Sequence, residues 1–312
     1  MSSRFFAETL HILYEMLENL KIGSEYEGFI FLAESVRNPP VLAPHHHVEL
    51  ELNLVVSGEV TYVVRGQRYR FQKRSLLWFF PSQEHQLIDR TRDAANYVAV
   101  FKPEMLKSTC RSPRYAALKQ QRLPGPGVTH TELEPDVYDG LRSLMESLVR
   151  DGLDPDLLNR EAGFGLNSDF TFKHNDPDFL NAGLRHLLLH CWRLQQDRGS
   201  GGREVALHPT VTLALELLNA DVETADLDTL ASQCGVSAAY LSRTFRREVG
   251  VNLSHYRNSL RLGRFWAAYR GSSHKTILEA ALEAGFGSYA QFFRVFSKAY
   301  GEGPRQSLNG KI

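Results

Sequence analysis

Cysteine is scarce in this sequence: Cys110, Cys191 and Cys234 stand far apart in 312 residues. They have no metal-like spacing and are too few for a disulfide framework, which fits reduced thiols in a cytosol. Long apolar runs are also missing. No stretch could span a bilayer, and Phe5, Phe6, Leu10, Leu13 and Leu17 are interrupted by Glu8, Glu15 and Glu18. The start therefore lacks the basic opening and unbroken apolar core of a signal peptide. A cytoplasmic protein with no membrane partner is expected. An excess of charge is absent too, since 36 basic residues balance 36 acidic ones, so overall charge does not suggest nucleic acid. No low-complexity tract argues for disorder, and no nucleophile and base stand at a recognisable spacing.

What is present suits two globular domains. The length exceeds one ordinary domain, and 43% apolar with 23% charged residues supplies two cores. Between Val48 and Phe101 the pattern is mostly period two: VELELNLVV, EVTYVV, QRYRF, SLLWFF and NYVAVF, separated by turn signals such as Ser57-Gly58 and Arg65-Gly66. Short antiparallel strands of this kind predict a closed barrel or a two-sheet roll. DVYDGLRSLMESLVRD and DFLNAGLRHLLLHCWRLQQD carry apolar residues at helical spacing. The segment from Gly152 to Pro177 is poorly periodic and reads as a loop over the barrel. The run Gly199-Ser200-Gly201-Gly202 is the best linker. The domains expected are therefore 1–198, a linker at 199–203, and 204–312.

The second domain reads as two helix-turn-helix units. PTVTLALELLNA is one helix, and LDTLASQCGVSAAYLSRTFRREVG is a helix, a turn at Gly235 and a second helix capped by Ser237. In that last helix Leu241, Phe245 and Val249 share one face, and Ala239, Ser242, Arg243 and Arg246 the other. Small residues let a backbone approach base edges, and arginine pairs with guanine. Ser237, Ala238, Ala239, Ser242, Arg243 and Arg246 are the DNA-binding candidates of this unit. The same syntax recurs in TILEAALEAGFGSYAQFFRVFSKAYG, with Gly285 at the turn, Ser288 as cap, Phe292, Phe296 and Ala299 inward, and Ala290, Phe293, Arg294 and Ser297 outward. Here the candidates are Ser288, Tyr289, Ala290, Phe293 and Arg294. Arg243 and Arg294 occupy equivalent places 51 residues apart, and an internal repeat is more specific than either unit alone. LSHYRNSLRLGRFWAAYR between them reads as one rigid helix, able to set two recognition helices into successive turns of a duplex. From Ser237 onward twelve Lys or Arg face four acids, a potential that attracts phosphates.

YLSRTFRREVG followed by AGFGSYAQFFRVFSKAYGEGP resembles the AraC family of bacterial transcription regulators, over roughly Pro209 to Pro304. Gly285, Phe286, Ser288, Arg294, Phe296, Gly301 and Pro304 fall on the family pattern, while Gln291, Phe293 and Gly303 depart from it. The first two departures bear on which bases the second unit reads. The resemblance implies an α+β fold class: an N-terminal cupin-like β-barrel with flanking helices, then an all-α domain of two helix-turn-helix units joined by a linker helix. It further implies a ligand-responsive, sequence-specific DNA-binding regulator, not an enzyme. The partners implied are double-stranded DNA, a small-molecule effector, a second copy of the chain and RNA polymerase.

The strand-rich segment offers an effector site in HHHVELELNLVVSGE. His45, His47, Glu49 and Glu51 are odd-numbered and share one strand face, while Val48, Leu50, Leu52 and Leu54 take the other. The arrangement is similar to the cupin motif: His45-x-His47, Glu51, Gly58, then Pro81 and His85, with Ser75 and Gln83 where metal-binding cupins tend to have glycine. Three readings stay open: a pocket for an organic effector without metal, a divalent metal held by His45, His47, Glu51 and His85, or a solvent-facing polar strand. Trp78 on the strand before His85 could stack against a sugar ring, or be core. Two further functions are weighed: a metal-dependent cupin enzyme fused to a DNA-binding domain, and an architectural DNA-binding protein that senses nothing. The apolar stripe Leu180, Leu184, Leu187, Leu188 and Cys191 is read either as a homodimer seam or as a core helix.

Overall fold

The computed structural model describes residues 20, 22–34, 44–64, 67–123, 127–153, 171–198, 205–220, 226–270, 275–300 and 303–309. The first nineteen residues, the glycine linker and most of the unperiodic segment after Gly152 lie outside the described residues.

Among the described residues, nine strands make two sheets. They are β1 (Gly28–Glu34), β2 (Leu50–Ser57), β3 (Glu59–Val64), β4 (Gln67–Gln72), β5 (Ser75–Phe79), β6 (His85–Arg90), β7 (Ala95–Phe101), β8 (Thr129–Glu132) and β9 (Val205–Ala206). One sheet runs β1-β7-β2-β5-β8 and the other β6-β3-β4-β9. The architecture is the two-sheet roll. Helices α1 (Pro103–Thr109), α2 (Pro135–Val149) and α3 (Pro177–Arg198) belong to the same domain.

Strand alternation divides this domain into layers. On β2, Leu50, Leu52 and Leu54 join a core with Met105, Leu141, Met145, Leu184 and Leu188, so this face of the larger sheet is covered by helices. On the opposite face, Val55, Leu77 and Phe79 meet Tyr62, Val64, Phe71 and Leu87 of the smaller sheet. The stripe Leu180, Leu184, Leu187, Leu188 and Cys191 is entirely consumed in the first of these cores. It is a core helix face, and the homodimer expectation loses the feature that carried it.

Three strands escape period-two reading. GFIFLAE of β1 is apolar without alternation, because Phe29, Ile30 and Phe31 are all buried. HQLIDR of β6 is half polar, since its outer face meets protein rather than water. THTE of β8 is an edge strand with little to bury. The boundary after the glycine run is also less clean than expected: Val205 and Ala206 pair with Arg68 and Gln67 of β4, extending the first domain's sheet.

The β2–β3 turn depends on Gly58, whose φ of +62° lies in the left-handed region and whose missing Cβ would come 2.7 Å from the Ala94 Cα. Gly58→Ala is expected to cost about 1–3 kcal/mol. A lowered urea midpoint with unchanged m-value is the expected readout, and an unchanged midpoint would show that the turn relaxes freely.

The second domain is helical: α4 (Pro209–Ala220), α5 (Leu227–Gln233), α6 (Ala238–Val249), α7 (Leu253–Arg270), α8 (Ile277–Glu283), α9 (Tyr289–Tyr300) and α10 (Pro304–Asn309). Its turns form as residue chemistry demands. Gly235 and Gly285 take φ of +68° and +86°. Ser237 accepts from the Tyr240 N–H, and Ser288 from the Gln291 N–H. Thr276 and Glu279 close a reciprocal capping box at α8. The spacer α7 has 18 residues, about 27 Å at 1.5 Å per residue. Its N-terminal half, with Leu253, Tyr256 and Leu260, packs in the first unit's core. Leu262, Phe265 and Trp266 pack in the second unit's core.

Candidate functional site

The barrel brings the histidines together. His45 and His85 form an isolated antiparallel bridge, with backbone N–H groups donating across at 3.2 and 3.0 Å. Their rings stand 4.4 Å apart, and the ring of His47 lies 5.7 Å from that of His85. One ligand atom from each of His45, His47 and His85 lies within 4.8 Å of the others, and all three residues are buried. Glu51, the second residue of β2, places Oε2 3.0 Å from His47 Nε2 and 3.7 Å from His85 Nε2. A solvent-facing strand is therefore excluded as the setting of these side chains.

Asn53 and Asn96 extend this cluster, and sequence reading passed over both. Asn53 continues the odd-numbered face of β2 and donates to Glu51 Oε1 at 2.6 Å. Asn96 of β7 donates to Asn53 Oδ1 at 2.7 Å. The parity rule that placed Glu51 could have found Asn53; Asn96 needed the β2–β7 pairing. Phe79 stacks on His85 at 4.2 Å and 5°, and Tyr62 closes the wall from β3. Burial alone would raise the Glu51 carboxyl, but hydrogen bonds and charge from His47 and His85 outweigh it and hold it well below the usual range. Glu49 differs. Its burial pushes the carboxyl up despite the opposing charge of His47.

Trp78 requires a correction. It is fully buried but faces the helices, meeting Trp192 edge-on at 5.3 Å in the core under α3. An even-numbered residue of β5 cannot share the pocket face with Phe79, so Trp78 does not line the pocket.

On the helical domain, Leu241, Phe245 and Val249 of α6 are buried, and Ser237, Ala239, Arg243 and Arg246 are exposed, with Ala238 and Ser242 half-buried. On α9, Phe292 and Phe296 are buried, Ser288, Ala290, Phe293 and Arg294 exposed, and Tyr289 and Ser297 half-buried. Arg261 leaves the pool of phosphate contacts: it is buried, its guanidinium 5.9 Å from the centre of the Phe286 ring.

The two domains touch through β6. Ile88 and Val63, on the outer face of the smaller sheet, join the core made by α4, α5, α6 and α7. Between them the Tyr256 hydroxyl donates to Gln86 Oε1 at 2.8 Å and lies 3.0 Å from Asn219 Oδ1. Arg68 of β4 donates to the Arg247 carbonyl in the last turn of α6.

A buried polar cluster on the inner face of a two-sheet roll and a tandem of helix-turn-helix units with arginine on their free faces define a sensor joined to a DNA reader. An AraC-like ligand binding domain is matched over residues 31–166, and a helix-turn-helix domain over residues 230–309. The chain belongs to the AraC family: it is a ligand-responsive transcription regulator that binds DNA. It is 21% identical over 297 residues to the melibiose operon regulatory protein of Escherichia coli K12, covering 92% of this chain and 89% of that one. Among solved structures, ToxT from Vibrio cholerae matches at 12% identity and a TM-score of 0.33, over 92% of this chain and 98% of that one. The C-terminal domain of AraT from Geobacillus stearothermophilus matches at 26% identity and a TM-score of 0.30, over 35% and 90% of the respective chains. No helix among the described residues is long and apolar enough to cross a membrane.

Proposed function

We propose that the effector binds the inner face of the barrel beside His45, His47, Glu51 and His85, and that β6 carries its presence to the first helix-turn-helix unit. One observation supports this reading above others. Successive residues of β6 face opposite ways: His85 and Leu87 look into the barrel, and Gln86 and Ile88 into the core of the DNA-binding unit. A strand is stiff along its length, so a shift that seats a ligand against His85 must also move Gln86 against Tyr256. The outward residues of α6 and α9, with Arg243 and Arg294 at equivalent places, read bases. Residues 199–203 join the domains, the protein works in the cytoplasm without catalysing a reaction, and a second copy and RNA polymerase are its protein partners. Those last points rest on the family to which the chain belongs.

The likeness to a melibiose operon regulator makes sugars the first ligands to try, melibiose among them, with aromatic acids as a second set. A ligand present at about 100 times its dissociation constant adds roughly 2.7 kcal/mol, which a melting screen resolves. With a ligand so found, operator affinity is measured with and without it for the parent and for Tyr256→Phe, which keeps the ring but removes the hydroxyl. Coupling of this kind is worth about 5–150-fold in affinity. The variant should bind the ligand normally and respond to it several-fold less. A response ratio equal to the parent's would remove β6 from the mechanism, and a screen with no hit would remove the pocket.

A further inference from the structure

We propose, resting on the reading of α9 as a base reader, that Phe293 recognises the 5-methyl group of a thymine. The second helix-turn-helix unit then selects a T·A pair, where the first, through Arg243, selects guanine. Phe293 and Gly303, two of the residues that depart from the family pattern, meet in the structure. A Cβ at position 303 would lie 3.1 Å from Cε2 of the Phe293 ring and 3.4 Å from Cζ, so a side chain there would press on the ring. Glycine gives the ring its seat. Tyr289, one turn earlier on α9, flanks it with ring centres 6.3 Å apart. The ring is therefore held by two neighbours and is still 44% exposed. Scattered exposed apolar side chains are ordinary, but this one stands on the free face between Ala290 and Arg294, in the second turn of α9. The N-terminal part of a recognition helix is what meets base edges.

What such a ring can select follows from its chemistry. A phenyl group neither donates nor accepts a hydrogen bond. The major groove offers polar edges on every pair and one apolar group, the C5 methyl of thymine. Set against guanine N7 and O6 or cytosine N4, the ring would strip water from polar atoms and return no partner. Against the methyl it takes apolar surface out of water on both sides. The polar side chains around it are occupied. Gln291 Oε1 accepts from the Gly287 N–H at 3.0 Å, the Ser288 hydroxyl accepts from the Gln291 N–H at 3.2 Å, and Arg294 Nε donates to the Ala290 carbonyl at 3.4 Å. Ala290, one turn before Phe293 on the same face, is small enough to let the helix approach the base. On α6 the place of Phe293 is held by Ser242, 51 residues earlier and next to Arg243. Two units alike in fold thus carry different readers, and the duplex they recognise is asymmetric, with guanine under α6 and thymine under α9.

The test uses the full chain, which selects its preferred duplex from a random pool at fixed salt. Each thymine of that duplex is then replaced singly by deoxyuridine, which pairs as thymine does and lacks only the methyl. At one thymine, or two adjacent ones, the replacement should weaken binding of the parent by about 3–5-fold, the size expected when one methyl leaves an apolar contact. Phe293→Ser should bind the thymine duplex more weakly by at least that factor and be indifferent to the replacement. Phe293→Leu, still apolar, should keep most of the sensitivity. Circular dichroism checks that both variants fold; if Phe293→Ser does not, Phe293→Gln takes its place. A parent indifferent to the loss of every methyl overturns the inference. So does a Phe293→Ser chain as sensitive as the parent, which would leave α9 on the DNA with the methyl read by another side chain. Affinity unchanged in both Phe293→Ser and Arg294→Ala would take α9 off the bases, and base reading by the second unit would fall with the thymine.

Discussion

Phe265→Ala is expected to unfold the second helix-turn-helix unit and leave the first standing. Phe265 is fully buried, 4.4 Å from the Phe292 ring and 5.9 Å from the Phe296 ring, with Trp266 beside it. Removing a packed phenylalanine costs about 3–5 kcal/mol. The loss falls on a small core of α7, α8 and α9 that shares no buried residue with the core of α4, α5 and α6. The two cores are joined by the spacer helix alone among the described buried residues, so the damage has little route into the first unit. Hydrogen exchange should show amides of residues 277–300 losing protection while those of 238–249 keep theirs. Uniform loss across both segments would mean that the domain folds as one cooperative body. Binding to an operator should fall with the lost unit, and the residual affinity should be that of the first unit by itself.

Arg243→Ala carries the second large effect, this time on recognition rather than stability. The side chain is exposed on the free face of α6, six residues after the Ser237 cap. A bidentate pairing of arginine with guanine is worth about 1–3 kcal/mol of discrimination, equivalent to roughly 5–150-fold in affinity. The loss should appear on the specific site and relax the preference at one base pair, with affinity for random duplex at the same salt nearly unchanged. Equal losses on both duplexes would make Arg243 a phosphate contact. On α9 the equivalent side chain, Arg294, lies back along its own helix with Nε donating to the Ala290 carbonyl. It must leave that bond to reach a base, so Arg294→Ala should cost less than Arg243→Ala.

The helical half was legible because its determinants are local. Gly235 and Gly285 take the left-handed turn that no β-carbon favours, Ser237 and Ser288 cap the helices that follow, and the spacing of Leu241, Phe245 and Val249 fixes which face is buried. Each of those effects acts within a few residues, so their order along the chain is enough. The odd parity of His45, His47 and Glu51 was likewise readable, because a strand's pleat has period two. What lies across a sheet was not. Trp78 looked available for a ligand and is instead core under Trp192, and the leucine stripe of α3 looked available for a partner and is instead spent on its own sheet. In both cases an apolar face states that it must be buried but not against what.

The sequence by itself determined the double helix-turn-helix, the alternating strands and the strand face that His45, His47 and Glu51 share. Only the tertiary structure decided that His85, thirty-four residues after Glu51, turns its ring to that carboxylate, that Asn96 supports it from β7, and that β6 turns its other face to Tyr256. Strand pairing and domain docking join residues far apart in the chain, and the free energy that selects them comes from surfaces that meet only once the chain has folded.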